Sequence, residues 1–257
     1  MKRSTILVAA ILAAAFCMPA WADWQPGDGY KMHFPQLPDE NGWDVNATRP
    51  KILADDFTCT WTGPITDIHF WGSWKGGITG TITNVHLSLH ANVAAGPNGF
   101  SVPGGLLWYK DLEPIVKPID PTTMEGWFDP NTGLYNLNDH SNYFQYNVDI
   151  PPAQAFHQVE GTVYWLDIQV QVVGGQWGWK NADVDKYPAP YTGKHYMDDA
   201  VWADWNGTGP LPGPAAWQAL TDPITGASLD LAFVITPEPA TLTLLALGGL
   251  AMMRRRR

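Results

Sequence analysis

A hydrophobic pattern that repeats every second residue is the feature that most limits what this chain can fold into. In residues 85–90, valine and leucines alternate with histidines and serine, and residues 144–150 alternate similarly between apolar and polar side chains. This spacing is that of β-strands with one buried face. No stretch of twelve or more residues has the 3.6-residue period of an amphipathic helix, and the best helical candidate is one or two turns at residues 153–156. The sequence therefore predicts an all-β fold.

Strand-like runs separated by turn sequences predict how the strands are arranged. The run at residues 163–173 is apolar on one face along its whole length, so we expect it to be a central strand. Clusters of Gly, Pro, Asn and Asp separate the runs, as in a two-sheet antiparallel β-sandwich that resembles a jelly roll, with a β-barrel as the alternative. Further runs lie at residues 52–60, 64–72, 106–112 and 228–236.

Two segments lack this pattern. Residues 23 to about 50 contain four prolines and are expected to be an irregular lead-in to the first strand. Residues 174–227 are rich in Pro, Gly, Trp and Asp and are too long for an ordinary loop, so we expect them to cover an edge of the sandwich or to carry a function.

The first 22 residues have the parts of a secretory signal peptide. Lys2 and Arg3 precede an apolar run at residues 6–16, and Ala20 and Ala22 are small residues at −3 and −1 of a cut. The eleven apolar residues are too few to cross a hydrocarbon core, which takes about 20 residues of helix. We therefore expect signal peptidase to remove residues 1–22, so that the exported domain begins at residue 23.

Residues 237–257 combine a short motif, an apolar span and a basic cluster. The span at residues 240–253 has 14 residues, or about 21 Å of helix, against about 30 Å for a hydrocarbon core. A basic cluster of this kind stays on the cytoplasmic side. The motif and the cluster are Pro237, Glu238, Pro239, Arg254, Arg255, Arg256 and Arg257.

This order of parts resembles the PEP-CTERM sorting signal of exosortase substrates in Gram-negative-type bacteria. The resemblance implies transient insertion of the span into the inner membrane, recognition by an exosortase and cleavage near the motif. The domain is then released or attached at the cell surface or in an extracellular polysaccharide matrix. A plain C-terminal membrane anchor is the alternative.

The charge of the domain between the two ends limits its partners. Six of the 15 basic residues but only one of the 25 acidic residues lie in the ends, which leaves 9 basic and 24 acidic residues in residues 23–236. A surface this acidic gains nothing from releasing counterions, so binding to nucleic acid or to anionic lipid is not expected.

Several short motifs resemble a domain of unknown function that recurs in secreted proteins of planctomycete-type bacteria with the same sorting signal. That family has no assigned activity, so the resemblance implies the domain limits, residues 23–236, and a β-sandwich, and it implies no mechanism. The motifs are Leu53-Ala54-Asp55-Asp56-Phe57, Gly63-Pro64-Ile65-Thr66-Asp67-Ile68-His69, Trp71-Gly72-Ser73-Trp74, Gly126-Trp127-Phe128-Asp129-Pro130, Tyr164-Trp165-Leu166-Asp167 and Asp198-Asp199-Ala200-Val201-Trp202.

Tryptophans in turn-rich sequence are candidates for a carbohydrate-binding platform. An exposed indole ring stacks on the C–H face of a sugar, while nearby Asp and Asn accept hydrogen bonds from its hydroxyl groups. The alternative for each of these rings is burial in the core, which removes 150 to 250 Å² of ring surface from water. The candidates are Trp71, Trp74, Trp177, Trp179, Trp202 and Trp205.

Closely spaced aspartates are candidate ligands for calcium, which takes six to eight oxygen ligands. None of these pairs has the glycine and distal glutamate of a calcium-binding loop, so solvated turn acids are the alternative. His86 and His90 share one strand face but lie about 13 Å apart, too far for one metal ion. The candidate calcium ligands are Asp55, Asp56, Asp183, Asp185, Asp198 and Asp199.

The sequence contains no recognisable catalytic motif. We find no nucleophile elbow, phosphate-binding loop or zinc-protease motif, and no pair of carboxylates stands out as a glycosidase centre. We therefore expect no enzymatic activity and predict an exported structural or adhesive protein of the cell surface or matrix. A carbohydrate-binding module, with or without calcium, is the alternative, and a glycan-cleaving enzyme ranks third.

Overall fold

The computed structural model describes residues 23–97, 99–119 and 123–237. Within this part of the chain the only helical segments are four 3-10 turns, at Lys75–Gly77, Pro152–Gln154, Val184–Lys186 and Pro214–Ala216. The strands are β1 (Trp43–Asn46), β2 (Lys51–Thr58), β3 (Gly63–Ile65), β4 (Asp67–Trp74), β5 (Thr81–Val93), β6 (Val102–Leu112), β7 (Ile115–Ile119), β8 (Glu125–Asp129), β9 (Leu134–His140), β10 (Tyr143–Asp149), β11 (Phe156–Gln158), β12 (Val163–Val173), β13 (Trp177–Lys180), β14 (Val201–Asp204), β15 (Gln218–Ala219) and β16 (Phe233–Thr236).

The strands form two large sheets and one short ribbon. Sheet A has the order β7-β10-β4-β13-β1-β8-β9, with β16 also pairing with β4. Sheet B has the order β15-β14-β2-β12-β5-β6, and β3 pairs with β11. Among the described strands, all pairings are antiparallel except that between β1 and β8, and an isolated parallel bridge joins Thr48 to Val170. Neither sheet closes on itself, so the predicted β-sandwich is confirmed and the barrel alternative is not adopted.

The core lies between the sheets because alternate residues of each strand point inward. On β5, Val85, Leu87 and Leu89 are fully buried, as the period-2 pattern predicts. Sheet B meets sheet A where Phe57 packs edge-on against Phe233, with ring centroids 5.9 Å apart. The apolar run at residues 163–173 forms β12 between β2 and β5, which confirms the predicted central strand.

The segments that lacked the pattern contribute strands to the centre of sheet A. β1 lies in the lead-in that the sequence predicted to be irregular, and β13 lies in the long segment at residues 174–227. β4 and β13 approach closely at Gly72, which has no side chain. A Cβ atom at this position would lie only 2.3 Å from the Gly178 carbonyl oxygen. The glycines that suggested turns therefore permit close packing in a central strand.

Some predictions concern residues outside the described ranges. The signal peptide with Ala20 and Ala22 lies there, as do Glu238, Pro239, the apolar span at residues 240–253 and the terminal arginines. Among the residues that the structure describes, no helix is long and apolar enough to span a membrane. Residues 25–237 form one unit that contains all the strands.

Candidate functional site

A row of polar side chains lies on the face of sheet B that points away from the core. β5 places His86, Ser88 and His90 on this face, because they alternate with its buried aliphatic residues. β12 lies next to β5, and the pairing sets Asp167 opposite Ser88 and Gln169 opposite His86. All five side chains are buried, and the segment that follows β14 contacts this row, because Gln169 Nε2 donates to the Trp205 carbonyl oxygen at 2.7 Å. The prediction that His86 and His90 share one face is confirmed.

His90 and Asp167 form a buried ion pair in this row. His90 Nε2 lies 2.9 Å from an Asp167 carboxylate oxygen, and His90 Nδ1 donates to the Gly104 carbonyl oxygen at 2.9 Å. Burial opposes the charged imidazolium, but the hydrogen bond and the charge of Asp167 outweigh this and raise the pKa of His90. Both ring nitrogens of His90 therefore face oxygen atoms, Nε2 that of Asp167 and Nδ1 that of Gly104.

Ser88 completes this group, which superficially resembles a Ser-His-Asp triad. The Ser88 hydroxyl donates to Asp167 and lies 3.1 Å from His90 Nε2. In a catalytic triad the aspartate binds Nδ1 of the histidine, and Nε2 is left to accept the serine proton. Here Asp167 and Ser88 meet at the same nitrogen, Nε2, and Nδ1 faces the Gly104 carbonyl oxygen instead of a carboxylate, so the geometry differs from that of a catalytic triad.

A groove opens beside this row, between β5, β6 and the glycine- and proline-rich segment that follows β14. Its volume is about 550 Å³, within the range of small-ligand sites. Tyr109 forms one wall with an exposed ring, and Trp205 contributes a partly buried ring from the other side. Residues 207–213 form the remaining wall.

His86 joins the two rings of the groove. Its ring lies 5.9 Å from Tyr109 in a stacked arrangement and 4.6 Å from Trp205, centroid to centroid. His86 Nδ1 lies 3.0 Å from a carboxylate oxygen of Asp111. His86 is 95% buried, yet its Nε2 has no hydrogen-bond partner among the described residues, and Trp205 Nε1 has none either. Such orphaned polar atoms are rare in folded proteins and call for an explanation.

Asp111 keeps a negative charge at the edge of the groove. Partial burial would raise its pKa, but hydrogen bonds with Asn84 and His86 outweigh this and lower the pKa. The groove thus combines two aromatic rings and one ionised acceptor, while the two polar ring atoms without partners are closed off from solvent. Aromatic faces with a few fixed hydrogen-bonding groups are suited to a ligand that has both apolar faces and hydroxyl groups.

The predicted tryptophan platform is wrong for five of its six members. Trp71, Trp74 and Trp202 are at most 7% exposed, and Trp177 and Trp179 are fully buried. Four of these rings lie on β4 and β13, which are central strands of sheet A, and Trp202 lies on β14 of sheet B, so all five pack within the fold rather than at turns. For example, Trp179 Nε1 donates to the Ala232 carbonyl oxygen at 2.9 Å. Trp205 alone remains accessible, and it lines the groove.

Four buried charged groups on sheet A form what we call the ion-paired cluster: Asp44, Glu125, His140 and Lys180. The Lys180 ammonium lies 2.7 Å from Glu125 and 3.3 Å from Asp44, and His140 Nε2 lies 3.0 Å from Asp44. Among the described residues, Asp44, Glu125 and His140 are the one set of three metal-ligand types whose donor atoms all lie within 4.8 Å. Because Lys180 already places a positive charge on both carboxylates, this set needs no metal ion.

The protonation of the ion-paired cluster follows from these contacts. Burial alone would raise the pKa of Asp44, but Lys180 and His140 lower it. Burial would lower the pKa of His140, but hydrogen bonds to Asp44 and Glu125 raise it to about 10. The pKa of Lys180 is raised because Asp44 and Glu125 outweigh the effect of burial. The cluster therefore contains two cations beside its acids at neutral pH.

A second group, the acid-only cluster, comprises Asp55, Asp56, Asp198 and Asp230. Asp55, Asp56 and Asp230 are at most 1% exposed, whereas Asp198 is half-buried. Burial, followed by the neighbouring Asp230, raises the pKa of Asp55 and of Asp56 well above the usual range. Burial also raises the pKa of Asp230 to about 7. Asp55, Asp56 and Asp198, three of the predicted calcium ligands, are therefore neighbours of Asp230, but no three of these carboxylates have oxygens within 4.8 Å of one another.

The other predicted calcium ligands have different positions. Asp183 caps the 3-10 turn that begins at Val184, where its carboxylate accepts from the Asp185 amide at 3.1 Å, and Asp185 is exposed. Asp199 is half-buried next to the acid-only cluster and adds to the repulsion that raises the pKa of Asp230. Asp183 and Asp185 therefore do not contribute to a common site with the buried aspartates.

Two arrangements could not be found from the sequence. The members of the ion-paired cluster are spread from residue 44 to residue 180 and form no motif. The one signal is Lys180 at the end of a buried aromatic strand, where a lysine is unexpected without a counter-charge. The groove depends on the register that sets His86 opposite Asp111 across β5 and β6, which the alternation alone does not give.

Comparisons with known proteins identify two parts of the chain. The model of a domain of unknown function, DUF7901, matches residues 32–236. The model of the PEP-CTERM protein-sorting motif matches residues 236–257. Both resemblances noted in the sequence are thereby confirmed. No curated protein and no solved structure matches the chain.

Proposed function

The chain belongs to the DUF7901 family and ends in a PEP-CTERM sorting motif, and from this premise we propose that its domain binds extracellular polysaccharide through the groove beside His86. The sorting motif makes it an exported protein that an exosortase processes for the cell surface or extracellular space of a Gram-negative-type cell. Retention in a polysaccharide matrix then gives it a structural or adhesive role.

The observation that carries this proposal is the pair of aromatic rings that line the groove beside an ionised carboxylate. Tyr109 is 57% exposed and offers a ring face to solvent, while Trp205 offers a second, half-buried ring. Asp111 supplies a hydrogen-bond acceptor at the groove edge. A sugar fits these groups, since its C–H face packs on a ring and its hydroxyl groups donate to a carboxylate.

The charge of the domain favours a neutral polysaccharide. Residues 23–236 have 24 acidic and 9 basic residues, and the groove edge bears the ionised Asp111. An anionic glycan would meet repulsion from both, whereas neutral hydroxyl groups donate well to a carboxylate. We therefore propose neutral hexose polymers as the ligand class.

Binding without cleavage fits the groove best. Glycoside hydrolysis uses two carboxyl groups roughly 5 to 9.5 Å apart, one on each side of the bond. Among the described residues that line the groove, Asp111 is the one carboxylate. The buried Asp167 is already engaged by His90 and Ser88. We propose on this ground that the protein is not an enzyme.

A glycan array probed with residues 23–236 tests the proposal. We expect saturable binding to neutral polysaccharides, accompanied by a change in tryptophan fluorescence as Trp205 is covered. Tyr109→Ala should weaken binding about tenfold or more, which corresponds to about 1.4 kcal/mol. Tyr30→Ala is the matched control, because Tyr30 is 42% exposed and does not line the groove. Equal loss of binding in both variants, or no binding to any neutral glycan, would contradict the proposal.

A further inference from the structure

A second pocket lies on the outer face of sheet B, beside the segment that forms one wall of the groove. Its volume is about 360 Å³. Its polar lining comes from three parts of the chain: Thr48 and Arg49 before β2, Gln171 near the end of β12, and Asn206 after β14. Because residues 207–213 line the groove and Asn206 lines this second pocket, the two sites share one segment as a wall.

The shared wall is held in place by hydrogen bonds and by close packing. The Trp205 amide donates to the Pro50 carbonyl oxygen at 2.6 Å, and Gln169 Nε2 donates to the Trp205 carbonyl oxygen at 2.7 Å. Gly207 lines the groove, and a Cβ atom on it would lie only 2.8 Å from Arg49 Cζ. The Arg49 guanidinium therefore packs directly behind the groove wall, so that a single chain segment separates the groove from the second pocket.

A strip of polar side chains connects the two sites across sheet B. Asn84 Nδ2 donates to Asp111 at the groove edge, at 3.0 Å. Asn84 is paired with Gln171 across β5 and β12, which places their Cβ atoms about 4.5–5.5 Å apart on one face. Gln171 Oε1 in turn lies 3.5 Å from Arg49 Nη1. This polar strip, which consists of Asp111, Asn84, Gln171 and Arg49, therefore runs from the groove into the second pocket.

The polar strip can exchange hydrogen bonds with hydroxyl groups along its whole length. Arg49 has five N–H donors, and among the described residues it forms no ion pair with a carboxylate. The side-chain amides of Asn84 and Gln171 can both donate and accept, and Asp111 accepts. A neutral sugar chain has hydroxyl groups that match all of these, whereas an anionic chain would be repelled by Asp111.

We propose that one polysaccharide chain extends from the groove along the polar strip into the second pocket, with Arg49 and Gln171 as specificity-determining residues. This inference rests on the proposed function and deepens it, because it makes the ligand a chain of several sugars rather than a single terminal sugar. Two contact sites on one rigid wall add their contributions for a ligand that is long enough to reach both. A short ligand occupies the groove alone.

The dependence of affinity on chain length tests this inference. The probes are glucan and mannan oligosaccharides, each as the disaccharide and the hexasaccharide, titrated calorimetrically into residues 23–237. We expect the best hexasaccharide to bind at least about tenfold more tightly than its disaccharide. Arg49→Ala should remove most of this gain, because it removes charged donors, and should change the affinity for the disaccharide by less than about twofold. Gln171→Ala, at an exposed side chain, should act in the same direction.

Two substitutions serve as matched controls. Lys194→Ala removes the same positive charge from an exposed position that lines neither site. Gln218→Ala shortens an exposed glutamine on β15, which also belongs to sheet B. Both variants should keep the full gain in affinity with chain length. The Tm of Gln171→Ala should stay within about 2 °C of that of the unaltered domain, so that a loss of binding reports the site rather than the fold.

The possible outcomes separate this inference from the proposed function. Equal affinities for the disaccharide and the hexasaccharide would overturn the second pocket while leaving the groove beside Tyr109 in place. So would a hexasaccharide affinity that Arg49→Ala and Gln171→Ala leave unchanged, or an equal loss in Lys194→Ala. Failure of every probe to bind would overturn the proposed function and this inference together.

Discussion

The ion-paired cluster and the acid-only cluster place carboxylates in equally buried surroundings, yet their pKa values shift in opposite directions. Asp44 and Asp55 are both fully buried, but the pKa of Asp44 is lowered and that of Asp55 is raised. Lys180 and His140 contact Asp44, whereas the charged neighbours of Asp55 are other aspartates. Burial opposes ionisation of both acids, and only Asp44 has neighbouring cations that overcome it, so Asp44 stays ionised and Asp55 does not do so as readily.

The two clusters also differ in what they allow the protein to do. The ion-paired cluster joins β1, β8, β9 and β13 and is closed by its own cations, so we assign it to the stability of sheet A. The acid-only cluster joins β2 to the segments before β14 and before β16, and it leaves oxygens without partners. The two clusters therefore differ in whether a cation compensates their buried carboxylates.

Removal of the lysine should produce the largest effect. Lys180→Met leaves Glu125 and Asp44 without the ammonium group in a fully buried position, so we expect a loss of about 3–5 kcal/mol in the free energy of unfolding. Urea unfolding at neutral pH measures it. Lys186→Met is the control, because Lys186 pairs with Asp183 near the surface and should cost at most about 1 kcal/mol. Similar losses in both variants would remove the distinction between the ion-paired cluster and an ordinary surface pair.

Neutralising a member of the acid-only cluster should raise the free energy of unfolding rather than lower it. In chelator, Asp56→Asn removes a buried carboxyl group that no cation compensates, so we expect stabilisation by about 1–3 kcal/mol at slightly alkaline pH. The same unfolding measurement applies. A loss of stability comparable to that of Lys180→Met would contradict this expectation, because it would show that the Asp56 carboxylate makes a stabilising interaction in the fold.

The pH dependence of stability should separate the clusters further. A carboxyl group with a raised pKa stabilises the fold fully below its unfolded value, near 3.9, and this contribution is lost as the pH rises through the folded pKa. Asp230, with a pKa of about 7, should therefore lose its contribution between about pH 4 and pH 7. The contribution of Asp44 changes with pH in the opposite direction. Its lowered pKa stabilises the fold at higher pH, and this stability is lost only as the pH falls below about 4.

The measurement compares the unaltered domain with Asp230→Asn in chelator from about pH 5 to pH 6.5. Below the unfolded pKa of histidine, near 6.5, the raised pKa values of His140 and His90 give a nearly constant contribution, whereas His33, whose pKa burial lowers to about 3, adds stability as the pH rises. His33 and Glu125 are the same in both proteins, so the comparison uses the difference between their slopes.

The unaltered domain should lose more stability, or gain less, with rising pH than Asp230→Asn, by up to about 1.4 kcal/mol per pH unit for each titrating group. This difference reports Asp230 together with its repulsion of Asp55 and Asp56. Identical slopes would contradict the raised pKa of Asp230.

A substitution outside both clusters should have the smallest effect on stability. Tyr109 is 57% exposed on β6, so Tyr109→Ala should change the free energy of unfolding by no more than about 0.5 kcal/mol, while it weakens glycan binding. Chemical unfolding beside the binding assay checks this. A loss as large as that expected for Lys180→Met would make Tyr109 a structural residue rather than a binding residue.

The alternation of apolar and polar residues was sufficient to predict the fold class and several strands, but it did not predict the burial of the tryptophans. Alternation identified β5 and β12 and the all-β fold, because residues two apart on a strand share a face. It also placed His86 and His90 together. It misjudged Trp177 and Trp179, because the glycines around them indicated turns while in the fold they permit close strand packing.

The composition of the two clusters depends on pairing between residues that are far apart in the chain. Asp55 and Asp56 attracted attention as an acidic pair, but Asp230 joins them only because the segment before β16 hydrogen-bonds to Asp55 through the Leu231 amide. Lys180 reaches Asp44 through the antiparallel register of β1 and β13. Contacts of this kind link residues more than one hundred positions apart, and no local spacing indicates them.

The most direct test of the difference between the clusters is a carboxyl carbon-13 NMR titration of the aspartates in chelator. We expect Asp55 and Asp56 to titrate well above the usual range, and Asp230 near pH 7, while Asp44 titrates below the usual range. Titration of Asp56 and Asp44 at the same pH, near 4, would contradict the account, because it would show that the neighbouring cations do not distinguish the two clusters.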